Sequence, residues 1–189
     1  MTDDLRRVVV WRNLLLDGTD YCGLWHTAEG WLLKGIVVGV LKHQRPIQAS
    51  YDIYCDEHWL THRVQVQRTI RSDVKSLRLS VESRGAWRSL GQELPDIQGC
   101  DDIDLALTPA TNTIAIRRLN LQVGSSQSII AAWVKSPELT VQSLPQRYTR
   151  LGKDTYRYES NTGFSADIAV DDLGLVAAYP GGWERIGWQ

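Results

Sequence analysis

The sequence is short of the residues that usually announce a chemistry. Its 21 Lys and Arg do not outnumber its 22 Asp and Glu, so no surplus of positive charge exists to neutralise phosphates, and a nucleic-acid partner is not expected. The cysteines, Cys22, Cys55 and Cys100, are odd in number and widely spaced, which argues against a disulfide framework and for reduced, buried thiols. Long apolar runs are missing: Val8 to Trp11 is cut by Arg12 and Asn13 before Leu14 to Leu16. That pattern fits neither a membrane span nor a signal peptide, so a cytoplasmic protein that is not embedded in a membrane is the expectation. No Gly-rich phosphate loop occurs, and Gly124-Ser125-Ser126-Gln127-Ser128 lacks the second glycine of a nucleophile elbow. Helical spacing is hardly visible, and no cofactor is implied.

What is present is alternation. Tyr51, Ile53 and Cys55, Val64 and Val66, Leu77, Leu79 and Val81, and Ile103, Leu105 and Leu107 each place every second side chain on one face. Turn signals separate these runs at Asp17-Gly18, Glu29-Gly30, Arg84-Gly85, Asn161-Thr162-Gly163 and Leu173-Gly174. The spacing predicts strands over 6–16, 21–27, 31–42, 47–55, 59–69, 76–83, 87–89, 102–108, 113–123, 128–135, 139–142, 147–151, 154–160, 164–170 and 174–179. Strand twist prevents so many strands from lying in one flat sheet, so the sheet must curl, close or split. The expectation is an all-β fold with little helix, one domain over residues 1–189: a curved antiparallel sheet forming a roll or incomplete barrel. If its interior is unfilled, the concave face becomes an apolar ligand cavity. Eight Trp and seven Tyr stand against a single Phe, so most large rings carry a polar handle suited to half-wet surfaces, although such rings are also good strand residues.

Residues 99–119 are the most informative stretch. They read as a strand, a loop holding Pro109 and Asn112, and a returning strand, which places Asp104 opposite Arg117 or Arg118. Ile114 and Ile116 differ in parity from Leu119, Leu121 and Val123, and a β-bulge at Arg117-Arg118 would restore one apolar face. The cluster serves either to recognise phosphate or sugar oxygens or as a structural salt bridge. Asp102 and Asp104 fall on one strand face roughly 7 Å apart, a spacing open to glycosidase chemistry. An arginine opposite them would hold the carboxylates ionised, which a general acid cannot be.

Glu57-His58-Trp59-Leu60-Thr61-His62 resembles a zinc helix with the glutamate on the wrong side, and on a strand its histidines stand about 13 Å apart, too far to share an ion. His26 and His43 are remote in sequence, so no metal site is expected. Gln146-Arg147-Tyr148-Thr149-Arg150 and Tyr156-Arg157-Tyr158 alternate side chains across two strands. Tyr148 with Arg150 or Arg157 can line a polar mouth, or simply form a solvated face.

At Gly99-Cys100, Asp102, Asp104-Leu105, Thr108-Pro109, Thr111-Asn112-Thr113 and Ile116-Arg117-Arg118-Leu119 the chain resembles a bacterial family of formerly unknown function, the putative glycolipid-binding family. The likeness continues over Gln146 to Leu151, Tyr156 to Ser160, Tyr179-Pro180 and Trp183, and more loosely at Tyr21-Cys22, Gly30-Trp31, Val38-Gly39, Tyr51, Cys55-Asp56, Trp59 and Arg63. The sequence departs from the family pattern at Ala110, where an aromatic is expected, and at Ala115, where a proline is usual. The resemblance implies a spiral β-roll similar to lipoprotein carriers and the binding or metabolism of glycolipids, with no catalytic residues to transfer.

Three functions compete. In the first, a lipid or glycolipid lies in the concavity and its headgroup meets a polar mouth drawn from Asp102, Asp104, Asn112, Arg117, Arg118, Arg147, Tyr148, Tyr158, Trp59 and Arg63. In the second, an enzyme of glycolipid or sugar metabolism uses Asp102, Asp104 or a histidine as general base. In the third, Trp-rich surfaces form a homo-oligomer interface.

Overall fold

The computed structural model describes residues 3–82 and 85–189. The alternating runs of the first half become β1 (Asp4–Asn13), β2 (Asp17–Thr27), β3 (Gly30–Leu41), β4 (Arg45–Cys55), β5 (Thr61–Ile70) and β6 (Asp73–Val81), followed by the short β7 (Trp87–Ser89) and β8 (Gln92–Glu93). Residue 83, the expected end of the sixth strand, and Arg84 of the following turn lie outside the described residues. The second half forms β9 (Asp102–Leu105), β10 (Ser126–Val134), β11 (Val141–Arg150), β12 (Thr155–Ser160), β13 (Ser165–Val170), β14 (Val176–Tyr179) and β15 (Trp183–Trp188). Strands expected separately over 139–142 and 147–151 fuse into β11 across Pro145. The Pro145 carbonyl accepts from Asn161 N at 3.1 Å beyond the end of β12, so the absent proline amide faces that same open side and breaks no ladder bond.

All fifteen strands belong to one sheet whose order runs from β8 back to β1, then to β15 and down to β9. Neighbours are antiparallel except β9 with β10. The sheet curls but does not close into a barrel. Its two ends meet at a glycine contact, where Gly99 N donates to Gly85 O at 2.8 Å and the Trp87 indole donates to Cys100 O at 3.0 Å. A Cβ on Gly85 would stand 2.8 Å from the Gly99 Cα, so only glycine permits this approach.

Residues 113–123 are not a strand. Thr111–Leu119 form the α-helix α1, closed by Asn120 in the left-handed region at φ 41°. The expected hairpin, the bulge at Arg117-Arg118 and the pairing of Asp104 with either arginine therefore do not occur. The phase change read as a bulge is helical spacing, with Ile116 and Leu119 one turn apart. Asn112, expected in a loop, lies in the first turn and is buried. Ala115, where the resembling family usually has proline, sits inside α1, where a proline would remove an intrahelical hydrogen bond.

The helix fills the inside of the curl. Ile114 and Ala115 are buried against a core that includes Trp11, Leu24, Leu33, Ile53, Val64, Ile103, Leu105, Ile168 and Val176. The concavity expected to hold an apolar ligand is thus occupied by α1 and side chains. The stretch before the helix is fastened from below: Thr108 and Tyr51 hydroxyls both donate to the carboxylate of the fully buried Asp20. Burial, opposed by these two hydrogen bonds, raises the Asp20 carboxyl to about 7. Cys22, Cys55 and Cys100 are buried and unpaired, and burial pushes the Cys55 thiol up to about 12. No helix among the described residues is long and apolar enough to cross a membrane.

Candidate functional site

Helix α1 runs through the curl and delivers its C-terminal end to one rim. There a cleft of about 760 Å³ opens between the last turn of α1 and three connections: the 56–60 turn between β4 and β5, the 151–154 turn between β11 and β12, and the 171–175 turn between β13 and β14. This volume falls in the range of small-molecule sites. Arg117 and Arg118 occupy the last turn of the helix, where positive charge complements the carbonyl end.

Each wall has a local cause. In the 56–60 turn the Asp56 carboxylate accepts the amides of His58 and Leu60, both at 2.9 Å, which bends the chain so tightly that Trp59 takes φ 66°. A bulky residue in the left-handed region is strained, and such strain gathers at binding sites. Trp59 is thereby laid against Trp31, ring centroids 4.8 Å apart, and the Arg117 guanidinium sits 5.7 Å over its ring. On the far side Asp171 folds the next turn by accepting from Leu173 N and Leu175 N. Gly174, at φ 84°, then leaves room for the Arg117 stem: a Cβ there would meet Arg117 Cδ at 2.9 Å.

The charges are unequally matched. Asp171 is paired with Arg185 and Arg7 at 2.9 and 3.3 Å, Asp172 with Arg7 at 3.2 Å, and Glu57 bonds the His26 ring at 3.1 Å. Arg118 is committed to Asp102 through two 2.7 Å hydrogen bonds, from Nε and Nη2. Arg150 points its guanidinium at the carbonyls of Leu121, Gly152 and Lys153, and at no carboxylate among the described residues. Arg117 makes no ion pair or side-chain hydrogen bond among the described residues.

Of the residues singled out from the sequence, Trp59, Arg117, Arg118 and Arg150 come together in the cleft, whereas Tyr148 and Arg157, named with Arg150, do not line it. Asp102 lies behind Arg118. Burial raises its carboxyl, opposed by Arg118, so desolvation outweighs the lowering expected from a facing arginine. Asp104 faces no arginine. It accepts from Gln146 Nε2 at 2.6 Å and from Thr111 Oγ1 at 3.4 Å, and burial raises it to about 6. Neither carboxylate lines the cleft. Asn112 accepts the Tyr148 hydroxyl at 3.0 Å, and Tyr148 packs on Tyr158 at 5.3 Å, an interior network along α1. Arg147 and Arg63 are exposed elsewhere, Arg147 bonded to Ser126 and Arg63 lying 3.8 Å over Tyr54. Glu57 and His58 reach the cleft but His62 does not, and no group of three His, Cys, Asp or Glu among the described residues is placed to hold a metal ion.

The sequence-derived candidates lack Asp171, Asp172 and Gly174, and Tyr156 entered only as part of an alternating stretch; all four line the cleft. Arg150 and the Leu173-Gly174 turn carried a signal, as part of an alternating basic stretch and as a turn. Nothing local in the sequence joins them to α1.

A family model described as "Putative glycolipid-binding" matches residues 8–185. The chain belongs to this family. Among solved structures, a DUF1089 family protein from Pseudomonas aeruginosa is similar, at 32% identity over 88% of this chain and 92% of that one, with a TM-score of 0.81. No curated protein sequence matches. The family's described function is binding, and the chain's cleft stands at the rim of a filled sheet, next to the Thr108 to Leu119 segment that carries the resemblance.

Proposed function

We propose that the chain binds a glycolipid by its headgroup, in the cleft at the C-terminal end of α1, with the acyl chains outside the filled concavity. Arg117 and Arg150 offer donors to the oxygens of a sugar, and the buried Trp59, stacked on Trp31, holds Arg117 in place from beneath. Asp102, Asp104, Asn112, Tyr148 and Tyr158 act from behind by fixing α1. The observation that carries this reading is Arg117, a cation braced between Trp59 and Gly174 and left without a protein partner among the described residues. A cation whose stem is held in place while its donors face solvent is what a pre-organised binding site presents.

Native protein, gently purified and extracted with organic solvent, is expected to release a glycosylated lipid enriched over a heat-denatured blank by mass spectrometry. In Arg117→Glu, which reverses the charge at an exposed position, that enrichment should fall about tenfold, the loss of one charge-assisted hydrogen-bonding group. Absence of any glycosylated lipid above the blank, in wild type and after incubation with a crude lipid extract, sinks the proposal.

A further inference from the structure

We infer that Arg117 and Arg150 form a subsite for an anionic group, so that the headgroup taken by the cleft carries a phosphate, sulfate or carboxylate. This rests on the headgroup reading above and narrows its ligand class.

The groups facing the cleft are matched in number but not in pairing. Arg117, Arg118, Arg150 and Lys153 supply positive charge, and Glu57, Asp154, Asp171 and Asp172 negative charge, with His58 on the 56–60 turn. Asp171 and Asp172 are bound by Arg7 and Arg185 from behind, and Arg118 by Asp102, while Glu57 hydrogen-bonds the His26 ring. Asp154 and Lys153 are neighbours in one turn with no ion pair between them. Arg117 and Arg150 remain without a carboxylate among the described residues. Both line the same cleft. The Arg150 guanidinium lies 5.5 Å over the Tyr156 ring, and both arginines oppose the rise that burial, helped by Asp154, imposes on the Tyr156 hydroxyl. Two guanidinium forks flanking one half-enclosed spot suit an oxyanion better than a neutral hydroxyl, because charge-assisted bonds are about twice as strong as neutral ones.

A neutral sugar would leave both cations unmatched. Arg150 is already pre-organised by three carbonyls, at 2.6 to 3.1 Å, and none of these supplies a full negative charge.

The test compares three probes on the intact chain by calorimetry or co-sedimentation: phosphatidylcholine vesicles carrying galactosyl diacylglycerol, the same vesicles carrying sulfoquinovosyl diacylglycerol, and inorganic phosphate alone. The expected result is a preference of about tenfold or more for the anionic glycolipid over the neutral one, shrinking with added salt. Arg117→Gln should bring the ratio close to one, and Arg117→Lys should restore part of it. Both substitutions fall at an exposed side chain without hydrogen bonds among the described residues, and unchanged thermal melts will show that the fold persists. Equal binding of both glycolipids overturns the anionic subsite and leaves the glycolipid reading standing. A preference that survives Arg117→Gln and Arg117→Gln/Lys153→Gln also overturns it. If neither vesicle binds but phosphate does, in an Arg117-dependent way, the subsite holds for a water-soluble anion and the glycolipid reading falls. Binding of none of the three removes both.

Discussion

Wild type will lose about 4 kcal/mol of stability between pH 4 and pH 8 that Asp20→Asn keeps. The Asp20 carboxyl is fully buried and, among the described residues, accepts only the hydroxyls of Tyr51 and Thr108 and meets no cation. Its folded value is raised from 3.8 to about 7. The native state therefore holds a proton that the unfolded chain releases earlier. The stabilising contribution is complete below the unfolded value and is lost as pH rises through the folded one, at about 1.4 kcal/mol per unit of difference. Asparagine keeps an acceptor for the two hydroxyls and has nothing to ionise. Denaturant unfolding from pH 4 to pH 8 should show wild type losing stability steadily, and Asp20→Asn losing much less. A smaller decline of the same sign remains from Asp104, raised to about 6, and ends about one unit earlier. A decline from pH 4 to pH 8 as steep in Asp20→Asn as in wild type would contradict the assignment.

Replacing Arg118 by leucine should cost about 3–5 kcal/mol, the usual consequence of leaving one half of a buried ion pair alone. Asp102 is 1% exposed, and its carboxylate oxygens are held by Arg118 Nε and Nη2 at 2.7 Å each. Without Arg118 the carboxylate is buried unpaired, and the pin between α1 and β9 is lost. Hydrogen exchange of the α1 amides should accelerate more than that of β2 to β4. The double variant Asp102→Leu/Arg118→Leu should recover most of the loss, because an apolar pair removes the desolvation penalty along with the attraction. A single-variant cost below about 1 kcal/mol would show that the pair sits in a wetter place than its burial indicates.

Much of the sheet was legible because apolar alternation survives on strands with one face on the core and the other on solvent. β4 and β5 show it, with Tyr51, Ile53, Cys55, Val64 and Val66 all turned inward. The last strand, Trp183–Trp188, was missed for a physical reason: its inward positions hold Trp183, Arg185 and Gly187 while Ile186 and Trp188 face out, so burial alternates along it but hydrophobicity does not. Arg185, an inward position, is filled by a charge that reaches Asp171 and two carbonyls.

The helix was illegible for the opposite reason. Thr111, Thr113, Ile114 and Ile116 are β-branched and favour strands, and only burial inside the curl makes α1 the better conformation. Within the stretch 99–119 an Arg and an Asp do pair, but as Asp102 with Arg118 across a strand and a helix. The cleft was half legible. Trp59, Arg117, Arg118 and Arg150 carry chemistry on their face, whereas Asp171, Asp172 and Gly174 join them only once the sheet curls and brings three distant turns around the end of α1.

The most direct test is a titration of isotopically labelled protein with micelles of a glycosyl diacylglycerol, following Trp indole and Arg side-chain resonances. The cleft account predicts shifts at Trp59, Arg117 and Arg150, with Trp183 at the opposite rim and the core Trp11 unmoved. Shifts centred on Trp183 and Trp11, or a saturating titration that leaves Trp59 and Arg117 unchanged, would place the ligand elsewhere and contradict it.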